Sequence, residues 1–123
     1  VYAGIAHGDT SVDARYLAAK TAHLRIFEDE QGRMQHSVEQ VGGAVLVVSQ
    51  FTLYGNCARG HRPDFTDAAP ASEAEALLDE FVRELRALGR NVQRGRFGAH
   101  MCVASQNDGP VTVILESRGR GQS

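Results

Sequence analysis

The sequence has few cysteines, a single lysine and no long apolar run. No stretch approaches the roughly eighteen consecutive apolar residues of a membrane span, and no basic and apolar leader opens the chain. A cytoplasmic protein without a membrane partner is therefore expected. The two cysteines, Cys57 and Cys102, lie far apart and match no CxxC spacing. We predict that both are reduced and belong to neither a disulfide bridge nor a metal site.

Excess positive charge is also lacking, because the net charge is −2 at pH 7. Any contact with nucleic acid must therefore come from a local patch. The cations are almost all arginine, and several cluster at Arg59 and Arg62 and at Arg90, Arg94 and Arg96. Arginine forks suit phosphate groups. A GC-rich genome also produces arginine-rich chains, and surface charges usually only contact solvent, so both interpretations stay open.

A chain of 123 residues that is 42% hydrophobic has the size and composition of one domain with one core. We predict a single domain over residues 1–117, followed by a small, polar and disordered tail over residues 118–123. The chain opens with "VYAGIA", which already reads as the middle or end of a strand. An N-terminal segment is therefore expected to be missing.

The first helix is predicted after this strand, with Thr10 as its N-cap and Asp13 completing a box-like start. Its periodicity places Leu17 and Leu24 on one face. A polar turn centred on Gly32 follows. The most apolar segment, residues 44–53, is predicted to be a central strand buried on both faces.

A long connection, residues 56–70, precedes the second helix, and long ordered loops tend to be functional. Ser72 and Glu75 form an S-x-x-E capping box, and a clear apolar stripe ends at Gly89. Two further strands, near residues 98–105 and 111–116, complete the chain as a C-terminal β-hairpin. The predicted fold class is α/β, with a mixed β-sheet and two amphipathic helices.

Most motifs of catalysis are absent. There is no GxGxxG, no GxxxxGK[ST], no HExxH and no GxSxG, and no two histidines have a spacing that zinc favours. No metal or organic cofactor is implied. Dinucleotide enzymes, P-loop phosphotransferases, zinc proteases of the HExxH type and α/β-hydrolases are all disfavoured.

Two polar interruptions of the strands remain. Ser49 and Gln50 break the central strand, where a buried glutamine requires hydrogen-bond partners. They are unremarkable if they lie near the carboxyl end of the strand, which is also where open α/β sheets bind ligands. The loop from Asn107 to Pro110, with Thr112 just beyond it, is either a plain hairpin connection or a rigid polar loop, because Pro110 fixes its own φ angle.

These two places also carry a family resemblance. The segments "SQFTLYG" at 49–55 and "NDGPVT" at 107–112 resemble the two signature motifs of the D-aminoacyl-tRNA deacylases, also called D-tyrosyl-tRNA deacylases. Segments such as "AHGDT", "LRIFEDEQGRM", "RPDFTDAAP" and "GRFGAHMCV" are similar to family segments in the same order. The resemblance covers the chain from residue 1 to about residue 117, and two separated motifs in order make it specific.

The resemblance implies a cytosolic homodimer that hydrolyses the ester between a D-amino acid and its tRNA, and that also removes glycine. It implies that Gly109 and Pro110 form a cis dipeptide that enters the pocket of the partner subunit. Their backbone carbonyls would hold the α-amino group of the substrate, and an L side chain would collide with them. Glycine allows this close approach, and proline fixes the shape.

The resemblance further implies that Ser49, Gln50 and Phe51 line the ester, with Gln50 and the Phe51 amide stabilising the oxyanion. Phe97 and Met101 would form the apolar slot for the terminal adenosine.

Thr112 has no histidine or carboxylate in its motif to activate it. We therefore expect it to be a positioning residue, with water or the 2′-hydroxyl of the substrate assisting. Asn56 and His61 depart from the usual family residues, which predicts adjusted tRNA contacts. The family fold begins with a hairpin upstream of "VYAGIA", including an arginine near the active site, which has no counterpart here.

Two alternatives stay open. One is a relative that clears a different mischarged tRNA, with a trans Gly-Pro bond and a wider pocket. The other is a non-catalytic tRNA-binding or dimerisation module.

Overall fold

A computed structural model describes residues 1–118. These residues form two helices, one short 3-10 turn and five strands: β1 (Tyr2–Ala3), α1 (Ser11–His23), β2 (Phe27–Glu28), β3 (Met34–His36), β4 (Ala44–Ser49), the turn Phe51–Tyr54, α2 (Ala71–Ala87) and β5 (Asn91–Arg94). The predicted mixed α/β architecture with two helices is confirmed. Of the two helices, neither combines the length and apolar character that a bilayer crossing requires, within the part of the chain described.

Strand β4 is the centre of a three-stranded parallel sheet. It pairs with β1 on one side and with β5 on the other. Each of these pairings follows a helical crossover, as the sequence predicts. The antiparallel pairing lies elsewhere than expected, in a separate two-stranded hairpin of β2 and β3 that turns at Gly32.

Helix α1 begins as predicted. The Thr10 side chain accepts a hydrogen bond from the Val12 amide, and the Asp13 carboxylate accepts one from the Thr10 amide at 2.8 Å. The predicted apolar face is wrong in detail, because Leu17 and Leu24 are only half-buried. The buried residues of α1 are Ala14, Ala18 and Ala22. Their small side chains let α1 approach α2 closely.

Helix α2 begins at Ala71, and Pro70 occupies the N-cap position without a side-chain hydrogen bond. The predicted capping box of Ser72 and Glu75 is therefore wrong, because Ser72 lies inside the first turn. Pro70 lies just outside the helix, with φ −57° and ψ 149°, and its carbonyl accepts a hydrogen bond from the Ala74 amide at 2.9 Å. The apolar stripe is confirmed by the buried residues Leu78, Phe81, Val82 and Leu85.

The central strand is shorter than predicted, and its two faces are buried unequally. It ends at Ser49 instead of Leu53. Val45 and Val47 are buried in the core with residues of both helices, whereas Leu46 on the opposite face is 48% exposed. Both helices contribute to this one core, and on the opposite face Leu46 is exposed while Val48, near the end of the strand, is buried.

The predicted C-terminal β-hairpin is not formed. Residues 99–116 contain no strand, and Ile114 is 87% exposed. The strand beside β4 is instead β5, which the sequence analysis missed. Strand propensity is expressed only where a partner strand supplies hydrogen bonds, and the described part of the chain offers none to these residues. Most of the predicted disordered tail, residues 119–123, lies outside the described residues, and Arg118 hydrogen bonds with Asp9 and with the His7 carbonyl.

Candidate functional site

An open cleft of about 630 Å³ lies at the carboxyl ends of β1 and β4. Its size suits a small-molecule ligand, and its place is where open α/β sheets bind ligands. Five of the residues predicted for the site line it: Ser49, Gln50, Phe51, Phe97 and Met101. The fold thus brings together two segments that are more than forty residues apart in sequence.

The polar side of the cleft is formed where β4 ends. The Gln50 amide donates to the Ala3 carbonyl at 2.9 Å, and the chain then turns into the segment Phe51–Tyr54. The side-chain amide of Gln50 donates to the Thr52 hydroxyl. The backbone N–H of Phe51 has no acceptor among residues 1–118. Gln50 is half-buried at a strand end, as the simpler of the two sequence interpretations expects, and a free main-chain donor stands beside it.

The apolar side of the cleft follows β5. The Gly95 amide donates to the Val47 carbonyl at 2.9 Å and so extends the pairing of β4 and β5 by one residue. The chain then turns away from the sheet, and the Phe97 side chain packs against the core. Met101 returns over Gly95, with its sulfur 2.7 Å from the position of a Cβ atom on that glycine. Phe97 and Met101 are both half-buried, which leaves apolar surface facing the cleft.

Two of the cleft residues that the sequence analysis missed carry ring side chains. Phe65 lines the cleft and meets the Phe51 ring edge-on, with ring centroids 5.2 Å apart. Its one signal in the sequence is that it is the only aromatic residue of the long connection. His100 also lines the cleft, and nothing in its spacing distinguishes it from the other histidines.

The cleft has little ionisable character. Its lining contains no carboxylate, and His100 is its only titratable side chain in the described chain. Burial raises the pKa of Tyr54, which lies outside the lining, and nearby Asp9 adds to the increase. Residues 1–118 hold no group of three potential metal ligands. The chemistry that this lining can supply is hydrogen bonding to developing charge.

The second predicted motif lies apart from the cleft. Gly109, Pro110 and Thr112 are not among the lining residues. The Asn107 side chain closes their loop, because its Nδ2 donates to the Thr112 hydroxyl at 3.1 Å and its Oδ1 accepts from the Val111 amide at 3.3 Å.

Gly109 is required by its backbone conformation. Its φ angle is 134°, and a Cβ atom would lie 3.2 Å from the Val111 nitrogen. The Gly109–Pro110 peptide bond is trans, as are all others among the described residues, so the implied cis dipeptide is a wrong prediction. The loop is exposed, and no contact in residues 1–118 offsets the preference of about 0.5–1 kcal/mol for the trans form.

Fold and cleft together define an α/β protein whose binding site offers amide donors and aromatic surface without a carboxylate. A family model described as D-Tyr-tRNA(Tyr) deacylase matches residues 1–116. The chain belongs to this family. The family predicted from the two motifs is thereby confirmed, and so is the enzyme class, a hydrolase of D-aminoacyl-tRNA in translational proofreading.

Individual relatives agree with this placement. The chain is 60% identical over 119 residues to the D-aminoacyl-tRNA deacylase of Heliobacterium modesticaldum, covering 97% of this chain and 79% of that protein. It is 58% identical over 114 residues to the D-aminoacyl-tRNA deacylase of Thermomicrobium roseum, covering 93% and 74%.

A solved structure of the c-Myc DNA Unwinding Element Binding Protein is 41% identical in sequence. It superimposes with a TM-score of 0.86, covering 94% of this chain and 78% of that one. A probable eukaryotic D-amino acid tRNA deacylase, 20% identical, shares the fold at a TM-score of 0.66, covering 80% and 73%.

Proposed function

We propose that the cleft is the active site at which this chain hydrolyses the ester between a D-amino acid, or glycine, and the 3′ end of tRNA. The observation that carries the proposal is the meeting of the Ser49–Phe51 segment with Phe97 and Met101 in one cleft. One side supplies donors for an ester carbonyl, and the other supplies apolar surface for a base. The reaction belongs in the cytoplasm, where aminoacyl-tRNA is used.

The ester carbonyl lies beside Gln50 and Phe51. Hydrolysis passes through a tetrahedral intermediate in which the carbonyl oxygen becomes negative. The Phe51 N–H, which has no acceptor among residues 1–118, donates to that oxygen, and the side-chain amide of Gln50 helps to hold the group. Preorganised donors of this kind need no reorganisation as the charge develops, and the edge-on contact of the Phe51 and Phe65 rings helps to hold the Phe51 N–H in place.

The terminal adenosine lies in the slot between Phe97 and Met101. Stacking of a base on an aromatic ring contributes about 1–3 kcal/mol and does not depend on a hydrogen-bonding edge. Because the lining has no carboxylate, the attacking water takes its help from the substrate's own 2′-hydroxyl, which an adenosine held in this slot places next to the ester.

The loop around Gly109 and Pro110 acts in a homodimer. It lies outside the cleft of its own chain, which supports a role in the cleft of a second copy. There its carbonyls accept hydrogen bonds from the α-amino group, and its backbone leaves no room for an L side chain. Thr112 positions this loop through Asn107 and is not a nucleophile.

The trans Gly109–Pro110 bond favours a second candidate function, the clearance of a different mischarged aminoacyl-tRNA. In this form of the site the pocket is wider, and a small L side chain is accepted. A non-catalytic tRNA-binding or dimerisation module would need neither the free Phe51 amide nor the apolar slot.

Hydrolysis of D-tyrosyl-tRNA and L-tyrosyl-tRNA tests the proposal, with the intact chain compared to Gln50→Ala and Pro110→Ala. We expect the intact chain to hydrolyse only the D-ester. Gln50→Ala should have a kcat about 100-fold lower, and Pro110→Ala should discriminate less between the D-ester and the L-ester. Gln93→Ala, an exposed glutamine on β5, is the matched control and should behave as the intact chain. Rapid loss of an L-aminoacyl ester with a small side chain would favour the second candidate. tRNA binding without any hydrolysis would favour the binding module.

A further inference from the structure

The connection between the Phe51–Tyr54 turn and α2 contains a self-closed loop, residues 56–64, which we call the basic loop. Two backbone hydrogen bonds close it: the Asn56 amide donates to the Asp64 carbonyl at 2.7 Å, and the Asp64 amide donates to the Asn56 carbonyl at 2.9 Å. The two closing side chains are also engaged, with Asn56 Oδ1 accepting from the Ala58 amide and Asp64 Oδ1 from the Thr66 amide. The base of the loop is therefore fixed.

The tip of the basic loop projects away from the domain. All of residues 57–63 are exposed. Gly60, at the reversal of the chain, has a φ angle of 58°, and nothing lies within 4 Å of the position of its Cβ. The tip thus presents its side chains to solvent from a rigid base.

The tip carries unpaired positive charge. Arg59 and Arg62 have no carboxylate partner in the described chain, in contrast to the five arginines that form ion pairs: Arg15, Arg33, Arg90, Arg94 and Arg118. The nearest acids in sequence are Asp64, whose carboxylate is engaged by Thr66, and Asp67, which lies beyond the loop. Residues 57–63 contain no acid, so their formal charge is that of the two arginines.

The base of the basic loop is joined to the cleft. Phe65, the residue after the loop, lines the cleft and packs edge-on against Phe51. Gly55, the residue before the loop, approaches the Phe65 ring so closely that a Cβ atom on residue 55 would lie 2.9 Å from that ring. The arginine-bearing tip is thereby held at a fixed place relative to the ester subsite.

We infer that Arg59 and Arg62 bind backbone phosphates of the tRNA strand that leads to the terminal nucleotide. The inference rests on the proposed function, because a cleft that holds the aminoacyl-adenosine end leaves the preceding nucleotides outside it. Each of these nucleotides carries one negative phosphate, and the planar arginine fork matches a phosphate with two parallel hydrogen bonds. Such contacts hold the tRNA in place irrespective of its sequence.

The experiment compares two substrates of the full chain: D-tyrosyl-tRNA and the D-tyrosyl ester of adenosine, which has no phosphate. The test variant is Arg59→Gln/Arg62→Gln. The matched control is Arg25→Gln/Arg83→Gln, which changes the net charge equally at two exposed arginines that form no ion pair within residues 1–118. Arg59→Lys/Arg62→Lys keeps the charge and removes the fork.

For D-tyrosyl-tRNA we expect the test variant to raise KM about tenfold with kcat unchanged, and to lower the slope of log KM against log salt by about 1 to 2. The adenosine ester should be hydrolysed as by the intact chain. The lysine variant should keep most of the salt slope. Equal KM values and slopes in the intact chain and the test variant, or equal losses in the control, would overturn the inference.

Binding of uncharged tRNA separates this inference from the proposed function. If the intact chain hydrolyses neither ester, the proposed function fails while the loop is still tested by the Kd for uncharged tRNA. A Kd that rises about tenfold in the test variant alone supports the basic loop as a phosphate site, and a Kd that stays the same refutes it.

Discussion

The sulfur atom of Met101 lies 2.7 Å from the point that a Cβ atom on Gly95 would occupy. No side chain larger than hydrogen fits at residue 95 unless Met101 moves. Gly95→Ala should therefore displace the Met101 side chain from the cleft. Because the clashing sulfur is near the end of a flexible side chain, the loss in the free energy of unfolding should stay below about 1 kcal/mol. We expect KM for D-tyrosyl-tRNA to rise about fivefold, which corresponds to about 1 kcal/mol of lost binding. Steady-state kinetics and chemical denaturation measure the two effects.

The double variant Gly95→Ala/Met101→Ala provides the control. Shortening residue 101 removes the clash, so the loss of stability in the double variant should be smaller than the sum of the single losses. Additive losses would mean that the two residues do not compete for the same space.

Asn107 should control the shape of the Gly109–Pro110 loop, because its side chain holds both the Thr112 hydroxyl and the Val111 amide. Asn107→Ala removes both hydrogen bonds, and we expect kcat/KM for the D-ester to fall about tenfold. The preference for the D-ester over the L-ester should fall with it. Asn91→Ala, at an exposed position of β5, is the control. Unchanged discrimination in Asn107→Ala would contradict a filter built from this loop.

Thr112→Ala should keep measurable turnover, because we propose that Thr112 positions the loop through its hydrogen bond with Asn107. Combined with Asn107→Ala it should add little further loss, since both changes remove the same hydrogen bond. Complete loss of turnover with intact binding of the substrate would restore Thr112 as a nucleophile.

Ala18 should tolerate no larger side chain. It lies on α1 and is fully buried in the core, so Ala18→Leu should lower the free energy of unfolding by about 1–3 kcal/mol. The neighbouring residue Ala19 is exposed on the same helix. Since leucine and alanine have similar helix propensities, Ala19→Leu should change stability by less than about 0.5 kcal/mol. Denaturant titration of both variants makes the comparison, and equal losses would contradict the close packing of α1.

Asp64 should make the base of the basic loop sensitive to acid. Hydrogen bonds from the Thr66 hydroxyl and amide lower the pKa of Asp64 below its ordinary value of 3.8. A carboxylate with a lowered pKa stabilises the folded loop above the unfolded value, and this contribution is lost as the pH falls through the folded pKa. NMR titration should show that Thr66→Val raises the pKa of Asp64. An equal pKa in both proteins would show that the hydroxyl contributes nothing.

Features that depend on neighbouring residues were predicted well from the sequence, and features that depend on contacts between distant segments were predicted less well. The start of α1 depends on Thr10 and Asp13, which lie within one turn, and it was predicted correctly. The start of α2 was misplaced: Ser72 and Glu75 fit a local capping pattern, but the helix begins at Ala71 and Pro70 is its N-cap. Which residues of α1 are buried depends on how α1 packs against α2. The local pattern therefore favoured Leu17 and Leu24 and could not show that the alanines are the buried residues.

The strands show the same limit. β5 has a mostly polar sequence with one buried residue, Val92, and it is a strand because β4 pairs with it. Residues 111–115 have strong strand propensity and no strand partner in residues 1–118. The members of the candidate site came from family motifs, and these located the two sides of the cleft. The edge-on contact of Phe65 with Phe51 requires the folded path of the connection, which no pattern in the sequence encodes.

The closed base of residues 56–64 has an evolutionary consequence. Since the two hydrogen bonds between Asn56 and Asp64 shape the loop without using its tip, substitutions at the tip leave the packing of the core untouched. Selection can therefore alter the charge of this segment one residue at a time, as the tRNA pool or the salt content of a cell changes. Affinity for the nucleic acid and fidelity towards the amino acid can then evolve separately.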